Sequence, residues 1–162
     1  NKETDRELAL WILMHDKNYK QRMVAGSILA NFHQYDSTWW VLLEALRYRN
    51  IRLVNNLHLL LASLAREYPR EIDWTIMIPS IRAMLDGTNV IAFKSVVDTL
   101  VKTKIHYSLA AHLLKNGGIL LIEYLNASRP EVRAPIHKLM VQLAGKDLGP
   151  NTKTWIKWIE SL

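Results

Sequence analysis

The sequence predicts an all-α chain built from about four stacked helical hairpins and a C-terminal capping helix. Apolar residues recur at helical spacing nearly everywhere, strand-like alternation is essentially absent, and one apolar pattern returns every few tens of residues. The 162 residues suffice for one domain with a substantial core. A hydrophobic fraction of 49% beside a charged fraction of 22% argues against disorder. The longest apolar runs, such as Leu57 to Ala65, fall well short of the roughly 20 residues that span a bilayer, so no transmembrane helix is expected. Zero cysteines exclude disulfides and thiolate metal sites and leave the compartment open. The chain opens without an initiator Met or a leader-like start, which reads as a piece of a longer protein.

The elements follow from the breaks. Turn formers, Gly and Pro gather at Asp36-Ser37, Tyr48 to Asn50, Pro69, Asp86-Gly87, Asn116 to Gly118, Ser128 to Pro130 and Leu148 to Asn151. Between them fit eight or nine short helices, sorted into units near 1–35, 37–68, 72–104 and 107–145, with a cap over 151–162. In the first unit Trp11 sits in an apolar pattern and reads as core. Ser37 and Thr38 are placed to cap "WWVLLEALRY", where Trp39 and Trp40 lie about 100 degrees apart on the helix, so one of them must be partly exposed. Asp73 is placed to cap "WTIMIPSIRAML", with Trp74 read as core. "NGGI" at 116–119 reads as a hairpin turn or helix end. Thr152 precedes a last helix whose broad apolar side carries Trp155, Ile156, Trp158, Ile159 and Leu162.

The second helix of each pair carries an apolar stripe at offsets 0, +4, +7 and +11: Leu53, Leu57, Leu60, Leu64; then Phe93, Val97, Leu100, Lys104; then Val132, Ile136, Leu139, Leu143; and, less regularly, Gln21, Ala25, Ile28, Phe32. The anchors are separated by 32, 40 and 39 residues, a degenerate repeat. One hairpin alone cannot bury such a face, whereas stacked hairpins make a continuous core. The segments "NYKQRMVAGSILANF" (18–32) and "RPEVRAPIHKLMVQLAG" (129–145) resemble the second helix of HEAT repeats, with Val132-Arg133 matching the family's Val-Arg pair and Arg22 matching alone; Val54 and Lys94 stand in place of the Arg elsewhere. The closing "GKDLGPNTKTWIKW" is similar to the tail of certain bacterial HEAT-like proteins. This resemblance, over about residues 17–145, implies a right-handed α-α superhelix, a concave surface lined by second helices, and a role in holding another macromolecule.

No H-E-x-x-H, G-x-S-x-G, phosphate-loop or dinucleotide fingerprint is present, so the sequence nominates no catalytic residue, metal ligand or cofactor. The net charge of +6 permits attraction to nucleic acid, but the bases are scattered among acids rather than gathered into runs. His58, Asp98 and His137 share offset +5, which points away from the stripe and would form a polar line in the groove. Offset +1 holds Arg22, Val54, Lys94 and Arg133, three bases of four, which either pair with acids of neighbouring units or meet a ligand. The candidate contact residues are therefore His58, Asp98, His137, Asn55, Lys94, Arg133 and Trp39, and the partner is another protein or peptide, with nucleic acid as the alternative. The expected state is a monomer.

Trp155 and Trp158 are expected to pack back on the helix 131–144 as the lid of the stack, with Gly149-Pro150 letting the chain turn. Truncation at Gly149 should then expose core and cause aggregation, read by light scattering; a soluble truncation of equal stability would return the two indoles to the binding candidates.

Overall fold

Ten α-helices and three short 3₁₀ turns, with no strand, make up the computed structural model, which describes residues 1–162. Helix α1 (Lys2–His15) pairs with α2 (Tyr19–Leu29), α3 (Asp36–Ala45) with α4 (Ile51–Glu67), and α5 (Ile78–Leu85) with α6 (Val90–Lys102). Two short helices, α7 (Ala110–Leu114) and α8 (Ile119–Leu125), precede α9 (Pro130–Ala144), and α10 (Thr152–Glu160) closes the chain.

Asparagine sets most of the long-helix starts. Asn18, Asn50, Asn89 and Asn151 each accept a backbone N–H of the following first turn, at 3.0, 3.0, 3.3 and 2.9 Å, which satisfies a donor that the helix itself leaves unpaired. Thr152 is therefore inside α10 rather than its cap. Ser37 and Thr38 likewise lie inside α3, where Thr38 is buried and donates its hydroxyl to the Phe32 carbonyl at 2.9 Å. Asp73 accepts from the Thr75 N–H at 2.9 Å and holds the turn that leads into α5.

The second helices α2, α4, α6 and α9 lie side by side in chain order and start at one edge. Arg52 at the start of α4 donates to the Tyr19 hydroxyl at the start of α2 (3.0 Å), and Asn89 before α6 donates to the Leu46 carbonyl before α4 (2.9 Å). Each hairpin is bonded only to its neighbours. Every hydrogen bond that involves a side chain and joins residues more than ten positions apart spans 27 to 43 residues, about one unit. Such nearest-neighbour bonding is the pattern of a quasi-one-dimensional array.

The helix starts fix the register between units, since the N-cap residues Asn18, Asn50, Asn89 and Arg129 step by 32, 39 and 40 residues, and burial agrees with it. Ala25, Leu57, Val96 and Ile136 are all buried, and so are Leu29, Leu61, Leu100 and Met140; both rows step by 32, 39 and 40 residues. The third unit is thus shifted by one residue from the sequence alignment. The stripe also differs at its edges: Leu60 is partly exposed, Ile28 is exposed, and Lys104 lies beyond α6 in a left-handed conformation (φ 54°). The cause is that α6 buries Ala92, Phe93, Val96 and Val97 alike, so its apolar pattern alone admits two registers.

Trp74 is buried and donates its indole N–H to Thr103 Oγ1 at 2.8 Å. Trp11, in contrast, is 58% exposed and stacks on His15, because no element covers the outer side of α1. At the other end Trp155 is fully buried, donates to the Gly149 carbonyl at 2.8 Å and meets the His137 ring of α9 edge-on at 5.5 Å. Trp158 is half-buried against it, and α10 also packs on α8.

At Gly26 α2 and α4 approach closely: a Cβ there would meet Leu57 Cδ2 at 2.6 Å, and Leu57 is itself fully buried. Gly26→Val should cost about 1–3 kcal/mol through overpacking, lowering the melting temperature by roughly 2–4 °C per kcal/mol. An unchanged thermal melt would contradict this contact.

Candidate partner-binding surface

The exposed sides of the second helices form one face. Lys20 and Ser27 present on α2, Arg52, Asn55 and Leu59 on α4, Ile91 and Lys94 on α6, and Glu131, Ala134 and Lys138 on α9. Of the residues that the sequence nominates, Asn55 and Lys94 are exposed here, whereas Arg133 is exposed on the side of α9 toward Pro150 and Trp155; neither Lys94 nor Arg133 is in an ion pair.

The offset +5 line does not assemble. His58 turns toward α6, half-buried, and shares a hydrogen bond with Ser95 Oγ (2.8 Å). Asp98 pairs with Lys102 within α6 (2.7 Å). His137 faces the C-terminal segment, its Nε2 3.0 Å from Asp147 Oδ1. For Asp98 the reason is the one-residue shift: a step of one rotates a helical position by about 100 degrees and moves it into the column of Leu59 and Lys138, while His58 and His137 keep a common column and are turned by their own partners, Ser95 and Asp147. Trp39 is core rather than contact, fully buried and bonded through its indole N–H to the His33 carbonyl at 2.8 Å. Trp40 is the half-exposed member of the pair and donates to the Asp73 carbonyl at 2.8 Å. Arg22 is buried too. It meets no acid: its Nε donates to the Leu13 carbonyl at 2.6 Å and its guanidinium lies 3.6 Å over the Tyr48 ring.

The structure adds a feature that the sequence reading missed, at the edge where the second helices start. Between the α3–α4 turn and the α5–α6 turn lies a groove of about 550 Å³, floored by Val54 and flanked by Tyr48, with Arg47 and Arg49 on one wall. Ile51, Val90 and Ile91 line it while 57%, 56% and 48% exposed. Across α6 is a smaller notch of about 100 Å³, walled by Phe93, Tyr124, Val132, Pro135 and Ile136, with Lys94 and Glu131 also lining it. The only local signal of this edge is "RYRNIR" (47–52), with three arginines around a turn and an aliphatic residue at the first helical position.

Charge concentrates on the same edge. Residues 16–20, 47–52, 86–94 and 129–133 hold eight bases against three acids, five of the chain's six net positive charges. No acid stands in the first turn of α2, α4 or α6, so the positive ends of those helix dipoles are not neutralised. Elsewhere no three His, Asp or Glu side chains come together, and no helix is long and apolar enough to cross a membrane. The class that these features define is an all-helical stack of hairpins with a basic edge. No family model, curated protein or solved structure matches the chain.

His58, and Asp147 beside His137, are among the groups whose pKa is shifted. The Gly149 N–H, and then His137, hold the Asp147 carboxyl below its usual range. Burial lowers the His58 pKa. Below about pH 6.5 the unfolded chain therefore takes up a proton at this residue that the folded chain resists, and stability falls as pH drops through that value. His58→Gln removes this contribution, so its urea midpoint should change less between pH 7 and pH 5 than that of the parent chain. Parallel midpoints for the two proteins would show that His58 does not set the slope.

Proposed function

We propose that the chain is a non-enzymatic interaction module, a HEAT-like α-solenoid of right-handed twist that holds a protein partner against the side formed by its second helices. The observation that supports this reading is the continuous face of α2, α4, α6 and α9, on which exposed Leu59 and Ile91 stand among Lys20, Arg52, Asn55, Lys94 and Lys138. Buried aliphatic area within a polar surround is what a protein interface uses for affinity. Repeat arrays supply such extended faces because each unit adds one more helix to the same side.

Nucleic acid is the second reading, favoured by the basic edge. A phosphate backbone is gripped by Lys and Arg and gains little from isoleucine and valine. The same edge exposes Ile51, Val90 and Ile91, so a protein partner with apolar side chains fits its chemistry better.

A photo-crosslinking residue at Leu59, in cells that make the chain naturally, should give a light-dependent adduct with a defined protein that survives nuclease. The same group at Ile76, exposed in the turn before α5, should not. Adducts equal at both positions, or destroyed by nuclease, would overturn the proposal.

A further inference from the structure

We infer that the basic edge receives an extended acidic segment of the partner, with two aliphatic side chains about three residues apart seated in the two notches that flank α6. This rests on the interaction-module reading and names the partner's chemistry. The notches stand on either side of the first turns of one helix, the larger between α4 and α6 and the smaller between α6 and α9. Neighbouring packed helices are about 8–10 Å apart, and an extended chain advances about 3.3 Å per residue, so a segment crossing the edge reaches from one notch to the next in about three residues.

The larger notch is basic at its rim, with Arg47 and Arg49, and the smaller is mostly apolar with one base, Lys94, and one acid, Glu131. The smaller volume of about 100 Å³ suits one aliphatic group, given that a cavity of about 150 Å³ accommodates benzene. Around the larger one, Arg49 is exposed and in no ion pair, while Arg47 is shared with Glu44 at 3.1 Å. Lys94, also in no ion pair, lines the smaller one on α6. Carboxylates between and beside the two aliphatic residues would meet these bases. The corresponding gap between α2 and α4 is closed by the chain's own Arg22 stacked on Tyr48, so the open pair is confined to α4, α6 and α9.

The test uses the whole 162-residue chain and fluorescence anisotropy with synthetic peptides of about 14 residues, in which two leucines are placed at every spacing from one to six in an Asp/Glu/Ser background. Binding should peak at a spacing near three and weaken at least tenfold when either Leu becomes Ser. Ile91→Asp and Arg49→Glu, both at exposed positions, should each weaken it at least tenfold with the thermal melt unchanged; a peptide with Lys in place of its acids should bind Arg49→Glu better than it binds the parent chain. Binding that ignores the leucines or their spacing, or that is matched by a single-stranded DNA of equal charge, would overturn the inference. So would the absence of binding to any peptide. If that absence accompanies a persisting Leu59 crosslink, the module reading stands and only this occupant falls; if the crosslink is also missing, both fall.

Discussion

Helix α4 must be covered on two sides at once, and the rest of the structure follows from that requirement. Leu53, Leu57, Leu61 and Leu64 are buried along its length, with Val54 and Ala65 beside them. Its hairpin partner α3 covers one side only, so α2 and α6 must both lie against it. Burying a leucine stabilises by about 1.5–3 kcal/mol, and four of them left uncovered would remove much of a typical domain's net stability. The same demand then passes to α6, which buries Phe93, Val96, Val97 and Leu100 and needs α9 on its far side. At the last unit it is met by α10, whose Trp155 is seated against α9.

Hydrophobic burial demands neighbours but does not fix their alignment, and polar contacts supply that. Asp36 accepts from Arg70 at 2.6 Å and from the Asp73 N–H, tying the start of α3 to the approach of α5. Ser80 on α5 meets Glu44 and Arg47 of the preceding unit, and Arg82 reaches the His112 and Lys115 carbonyls of the next. Within this fixed alignment one repeated position governs the edge. Where α2 has Arg22, α4 has Val54 and α6 has Phe93. The arginine fills its gap by stacking on Tyr48, the short valine leaves about 550 Å³, and the phenylalanine leaves about 100 Å³. The residue size at one position thus decides which gaps are open.

Helices, breaks and the repeat were legible because each is written in local spacing. What was not legible depends on neighbours. Trp39 and Trp40 must diverge, but which turns inward is decided by the His33 carbonyl, in the preceding unit. Trp11 and Trp155 sit in similar amphipathic patterns; α8 and α9 cover one and nothing covers the other. The third unit slipped by one because α6 is apolar over a wide arc, and that slip placed Asp98 in the column of His58 and His137, where the fold does not put it. The groove was invisible for another reason. Its walls are two turns about forty residues apart, and neither turn is unusual alone apart from the arginines of "RYRNIR".

Those arginines also run against local preference. Acids are favoured near helix starts and bases disfavoured, by about 0.3–1 kcal/mol each, yet the first turns of α2, α4 and α6 hold no acid while Lys20 and Arg52 stand there and Arg47 and Arg49 just before. Arg47 and Arg52 reach Ser80 and Tyr19 of neighbouring units, but Arg49 serves no contact of the stack. Arg49 is exposed and bonded to no acid, and the aliphatic residues beside it are exposed as well. A sequence selected only for stability of the array would place Asp or Glu at these starts and polar residues at Ile51, Val90 and Ile91. Departures from local rules that bring no compensation within the fold concentrate where a chain meets something else. Here the two departures, basic charge at helix starts and uncovered aliphatic side chains, fall on the same edge and call for one complement, an acidic partner with apolar side chains of its own.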